Sequence, residues 1–393
     1  MFVRVITRRE MRRRRMLRRF RGLAIVCALA ILFACGIIKE SSPAGLFSLS
    51  RGAVVSAEAA GRSSPGRAAA DSDAVPPIGP YKLGPGPYAV AEVEDLLLHD
   101  DARDADLHVH IFYPQAGGSY PVIVFAQDAA ASGPCCDALP RYWASYGYVT
   151  LQPSRRGSPE ESHSSGGMQG RFLEASRHTP ENPDMWDSRP EDISFLLDSL
   201  QEIPLLVPQF NEKMDSDRVG MSGHSLGAFT TEVIAGARVD LPGRPEGEGS
   251  SGASFADRRV RAALALSPLG PGRLGLTERS WDTVSLPYMG VTGSLETVGT
   301  TASPTWRKAP FELSQPGDKY QVVVRGADEL SLVAERPARL GHAAKPQPVL
   351  DDVEWATLAF WDAYLKGDSA AKRYLASDAL AKYTNGAVSV DRR

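Results

Sequence analysis

The chain has 393 residues, 43% hydrophobic and 23% charged, enough for one large or two medium globular domains. That balance excludes a fully disordered chain, a collagen-like repeat and a polytopic membrane protein. Four cysteines exclude a disulfide-stapled scaffold, and with no CxxC paired to a second, a structural zinc site is not expected. Residues 1–21 hold ten arginines and one glutamate, a charge of +9, so with −3 overall the remainder carries −12. An acidic body without a basic stripe argues against nucleic acid as a partner.

The arginines, from Arg4 to Arg21, precede an uncharged run from Gly22 to Ile38. At 1.5 Å per residue that run spans about 25 Å as a helix, close to the bilayer core. A basic stretch followed by an apolar one predicts an export signal or signal anchor, with the arginines cytoplasmic and the body in the periplasm or cell envelope. The membrane is thus an expected partner through residues 1–40. Leu32-Phe33-Ala34-Cys35 loosely resembles a bacterial lipobox, and Ala57-Glu58-Ala59 has the small-x-small form of a peptidase site. From 41 to 87 the composition is rich in Ala, Gly, Ser and Pro and predicts a flexible tether. The folded domain is expected over 88–383, with a disordered tail over 384–393.

Within the domain, Leu107 to Tyr113 alternates as a half-buried strand does, and Val122 to Phe125 is an apolar run suited to a buried parallel strand. Tyr148 to Leu151 is a third strand. Ser188 and Pro190 open a helix that places Ile193, Leu196, Leu197 and Leu200 on one face. Strands are predicted again at Val219 to Ser222, Val260 to Leu266, Pro287 to Thr292 and Tyr320 to Val324. A helix carrying Leu358, Trp361 and Leu365 closes the domain. This alternation predicts an α/β fold, a mostly parallel sheet with helices on both faces. Gly243 to Gly252 reads as a loop and not a phosphate cradle, because no strand feeds it and no GK[ST] ends it.

One motif carries chemistry. Gly223-His224-Ser225-Leu226-Gly227 lies between a short strand and a predicted helix from Ala228 to Ala237. Glycines flanking the serine permit a strained strand-to-helix turn that lifts its hydroxyl above the sheet. The helix N-terminus beneath favours developing negative charge. His224, next to the serine in sequence, cannot turn back onto that hydroxyl and is expected to pack.

With this elbow, the segment from Arg141 to Val149, Gly293-Ser294-Leu295-Glu296 after a strand, and Ala359 to Asp368 in the last helix, the chain resembles the α/β-hydrolase fold. The resemblance covers roughly Tyr88 to Leu375, in the branch with dienelactone hydrolases, bacterial polyester hydrolases and platelet-activating-factor acetylhydrolases. It implies an esterase without cofactor or metal, using Ser, Asp or Glu, then His in chain order. Ser225 matches the nucleophile and Glu296 the acid. The histidine does not match: relatives place it in a Gly-Ala-x-His loop, and this chain reads Gly326-Ala327-Asp328-Glu329. His342 is the only histidine beyond the acid. Relatives also carry His-Gly in the oxyanion loop, where this chain has Gln127-Asp128, so Ala129 and Leu226 are the expected N–H donors.

Three readings follow. The first is a serine hydrolase acting on a small acyl ester, with His342 as base. The second is a hydrolase-fold protein that has lost turnover and binds or scaffolds at the envelope. The third is a cation site of Asp128, Glu296, Asp328 and Glu329. Trp186, Met185 and Trp281 are candidates for either a ligand pocket or the core.

Overall fold

The computed structural model describes residues 79–82, 84–127, 136–155, 184–210, 213–242, 252–296, 305–333 and 349–393. In chain order the strands are β1 (Val90–Asp100), β2 (Ala105–Pro114), β3 (Tyr120–Ala126), β4 (Val149–Ser154), β5 (Met214–His224), β6 (Arg238–Val239), β7 (Ala253–Ser254), β8 (Val260–Leu266), β9 (Tyr288–Gly293), β10 (Lys319–Val324) and β11 (Val388–Arg392). The longer helices are α1 (Ala138–Ser145), α2 (Asp184–Ser199), α3 (Leu226–Ala235), α4 (Val349–Leu365) and α5 (Ser369–Ala376).

Nine strands form one sheet in the order β1-β2-β4-β3-β5-β8-β9-β10-β11, with β6 and β7 pairing separately. The six central strands, β4 to β10 in that order, are parallel, and β1, β2 and β11 join antiparallel at the edges. The fold is therefore α/β with a mixed, mostly parallel sheet. Alternation decides which face each helix covers. Ile123, Phe125, Leu264 and Val291 point to the face packed by α1 and α4. Ala263, Ala265 and Tyr288 point to the other, against α3. Alanines there admit α3 closely, while the first face is filled by bulkier groups such as Trp143 and Trp361, stacked edge to face at 5.8 Å. Gly220 on β5 carries no side chain because the Trp361 ring occupies that space: an added Cβ would lie 2.6 Å from it.

Each strand expected from the apolar pattern is present, its ends differing by at most three residues except in β5, which begins five residues before Val219. The helix expected from Ser188 begins at Asp184 and contains Pro190, so the proline lies inside it rather than at its opening. Four strands, β1, β6, β7 and β11, escaped the pattern. β1 is acidic and broken by a bulge between Val93 and Leu96, which disrupts the period of two.

The expected boundaries shift at both ends. The tail is not disordered over 384–393: Val388–Arg392 pairs with β10, and Val388 is buried. Nor does the domain start at Tyr88. Tyr81 donates a hydrogen bond to Asp362 at 3.0 Å, and Lys82 Nζ lies 2.5 Å from the same carboxylate. Tyr146 donates to the Gly84 carbonyl at 2.8 Å, and Gly86 N–H donates to Ser145 Oγ at 2.8 Å. Residues 79–82 and 84–87 thus lie as a strap against the domain, drawn there because buried Asp362 on α4 demands donors from outside its own helix. The remaining tether over 41–78 and the segment 1–40 lie outside the described residues. Among the described residues no helix is long and apolar enough to cross a membrane.

Candidate functional site

Ser225 stands between β5 and α3 with φ 57° and ψ −115°, a backbone state that L-residues rarely adopt. Such a conformation costs about 1–3 kcal/mol and persists only when its surroundings enforce it. Here the enforcement is visible. A Cβ on Gly223 would sit 2.1 Å from the Gly227 carbonyl oxygen, and one on Gly227 would sit 2.0 Å from that of Ala126. Both glycines are required because strand, turn and helix approach closer than any side chain permits. Ser225 N–H donates to the Leu266 carbonyl at 3.0 Å, fixing the turn to the neighbouring strand β8. Leu226 opens α3, so its N–H belongs to the first turn, where amides have no intrahelical acceptor. That is the position expected of an oxyanion donor. Its expected partner, Ala129, and neighbouring Asp128 lie outside the described residues, as do His342 and the side chain of Met185.

Two strands away, Glu296 is almost completely buried. Its Oε1 accepts from Gly293 N–H at 2.5 Å and from the Thr292 hydroxyl at 3.1 Å. Its Oε2 lies 2.6 Å from Arg307 Nε, close enough for an ion pair although the N–H direction misses the oxygen. Arg307, with a side chain only 2% exposed, also reaches Glu329 Oε2 at 3.1 Å and donates to the carbonyls of Ser267 at 2.7 Å and Pro268 at 3.2 Å. One guanidinium therefore ties together the loops leaving β8, β9 and β10. Burial pushes the Glu296 carboxyl above its ordinary value, Arg307 pulls it back, and Glu329 adds to the rise.

The β10 loop also touches the elbow. His224 is buried as expected, and its Nε2 lies 2.9 Å from the Glu329 carbonyl oxygen, which requires an Nε2–H donor. Burial holds this imidazole below its ordinary value. Glu329 thus lies against the residue preceding Ser225, as its place in the chain predicted, but its carboxylate faces Arg307. Asp328 does not join it: its Oδ1 accepts from Ser331 N–H at 3.0 Å, closing a turn. Of the four carboxylates in the cation-site reading, Asp128 lies outside the described residues and Glu296 and Glu329 share Arg307; among the described residues no group of side chains is placed to hold a metal.

Arg307 is the residue that sequence reasoning missed. Two facing carboxylates at a buried edge call for a cation, and Arg307 falls between them in the chain, yet nothing local distinguishes it from other arginines. Trp281 is fully buried in the core beside α3, whereas Trp186 is half-buried and packs on that cluster.

Beneath the site, Glu232 of α3 is fully buried and accepts a hydrogen bond from the Tyr288 hydroxyl at 3.3 Å. Burial raises its carboxyl well above the ordinary value, outweighing its hydrogen bonds. The folded chain therefore keeps a proton that the unfolded chain releases near pH 4.5, and stability falls as pH rises above that value. Each unit of pH over which Glu232 stays protonated costs about 1.4 kcal/mol. Glu232→Gln is expected to flatten this slope between pH 5 and 8 in urea titrations; an unchanged slope would mean the carboxyl is ionised.

A scan against protein-family models finds no match for this chain, and a search of curated proteins likewise finds none.

Proposed function

We propose that the chain is an α/β-hydrolase-fold protein, exported or anchored through its N-terminal segment, that binds small carboxylic esters at Ser225 and reacts with them slowly, without sustained turnover. One observation carries this reading. Glu296 Oε1 accepts from Gly293 and Thr292, and its Oε2 is ion-paired with a buried guanidinium, Arg307. The charge that would orient and stabilise an imidazolium is matched by Arg307 instead, so the acid does not serve a histidine as it does in a triad. The elbow itself keeps a strained serine and a helix N-terminus suited to an oxyanion. The retained strain at Ser225 favours a second reading, turnover with His342 as a base working without Glu296.

A fluorophosphonate probe separates them. The unmodified protein is expected to label slowly and to a stoichiometry of one, with labelling abolished by Ser225→Ala. Glu329→His supplies an imidazole where the resemblance places it and is expected to accelerate labelling at least tenfold, since a positioned base is worth about 10²–10⁴-fold. Rapid labelling that His342→Ala removes would favour the second reading. No labelling of either the unmodified protein or the Glu329→His variant would remove Ser225 from the role of nucleophile.

A further inference from the structure

On the side of the elbow away from Arg307, α2 reaches the carboxyl edge of the sheet. Arg189 Nη2 donates to the Gln127 carbonyl at 2.5 Å, and its Nε donates to Thr230 Oγ1 at 3.3 Å. The Thr230 hydroxyl in turn donates to the Leu226 carbonyl at 3.1 Å. Gln127 is the residue at which the chain leaves β3, and Leu226 is the first residue of α3. One side chain therefore bridges the two segments from which oxyanion donors would come. The separation it spans is tight: a Cβ on Gly227 would lie 2.0 Å from the Ala126 oxygen and 3.1 Å from the Gln127 oxygen. One turn along α2, Asp192 receives Arg155 at 2.5 Å and Arg103 at 2.7 Å. Arg103 also donates to the Ser188 carbonyl at 3.3 Å, so the helix segment bearing Arg189 is itself held to the end of β4 and the β1–β2 turn.

We propose that Arg189 is a positioning residue that sets the gap between the exit of β3 and the first turn of α3, and so aims the Leu226 N–H at the oxyanion formed on Ser225. The oxyanion role rests on the reading of Ser225 given above; the spacing role does not. Arginine suits the task because its planar guanidinium donates in two directions at once from a fixed frame, which lysine does not. The link runs through Thr230, so the effects of removing Arg189 and of removing the Thr230 hydroxyl overlap instead of adding.

Two readouts on the full chain test this. In protein carrying ¹⁵N-leucine, Arg189→Ala and Thr230→Val are each expected to shift the Leu226 amide resonance, whereas Lys372→Ala, which breaks an ion pair between α5 and Asp318 ahead of β10, leaves it in place. With the fluorophosphonate, Arg189→Ala is expected to lower the maximal labelling rate about 10- to 100-fold, with the half-saturating probe concentration within twofold. The Arg189→Ala/Thr230→Val double variant is expected to be no slower than Arg189→Ala alone, and Lys372→Ala to label at the unmodified rate. A Leu226 resonance unmoved by Arg189→Ala overturns the proposal, as do rate losses that multiply in the double variant. A shifted resonance in a protein whose Ser225 never labels supports the spacing role and tells against the ester reading alone.

Discussion

Replacing Arg307 with alanine is expected to destabilise the protein by about 3–5 kcal/mol, the range for a buried ion pair that loses one partner. The guanidinium is 2% exposed and touches two carboxylates and two carbonyls. Its removal leaves Glu296 buried beside Glu329 with no cation between them. Burial and Glu329 already push the Glu296 carboxyl up, and without Arg307 nothing comparable opposes them. The folded variant then holds a proton that the unfolded chain releases near pH 4.5, so its deficit deepens as pH rises above that value. Urea denaturation at pH 5 and pH 8 measures the effect. Adding Glu296→Gln removes the charge that needed a partner and is expected to recover more than half of the loss. A deficit below about 1 kcal/mol at pH 8 would show that the three loops hold together without the guanidinium.

The second large effect is expected at the strap. A chain beginning at residue 79 should match the stability of the full domain, whereas one beginning at Tyr88 should lose about 3–5 kcal/mol or aggregate. The sum has two parts. Burying much of Tyr81, whose ring lies 5.2 Å from that of Tyr374, contributes about 1.5–3 kcal/mol. The charged contact of Lys82 with Asp362 contributes about 1.5–3 kcal/mol. Asp362 would keep Tyr148 at 2.7 Å and Lys366 at 2.9 Å, which limits the damage. Burial opposes ionisation of Asp362, but Lys366 and Lys82 outweigh it and hold the carboxyl below its ordinary value. The Lys82 share is therefore present above about pH 4 and is lost as pH falls through the folded value. Lys82→Met in the longer chain isolates that share. Equal midpoints for the two lengths would mean that residues 79–87 lie on the surface without holding it.

The elbow was legible in the sequence because its causes are local. Gly223, Ser225 and Gly227 lie within five residues, and the close approaches that demand glycine at either end involve the turn itself and the adjacent strand β3. The parallel strands were legible for a similar reason: a strand buried on both faces must be apolar throughout, as Val122 to Phe125 are. His224 was readable as packing because a residue adjoining Ser225 in the chain has no path back to its hydroxyl. The strap was not legible. Its glycines and prolines read as linker, and what orders it is Asp362, 280 residues from Lys82 in the chain. Arg307 was hidden by the same distance in another form. An isolated arginine reads as surface, and it becomes a buried keystone only where the loops after β8, β9 and β10 converge and two carboxylates share one dry edge of the sheet. Arg189 depends likewise on α2 meeting the end of β3 and the first turn of α3. Short-range sterics wrote the strained turn at Ser225 into the sequence, while the charged groups around it were brought together by contacts distant in the chain, which act only after it has folded.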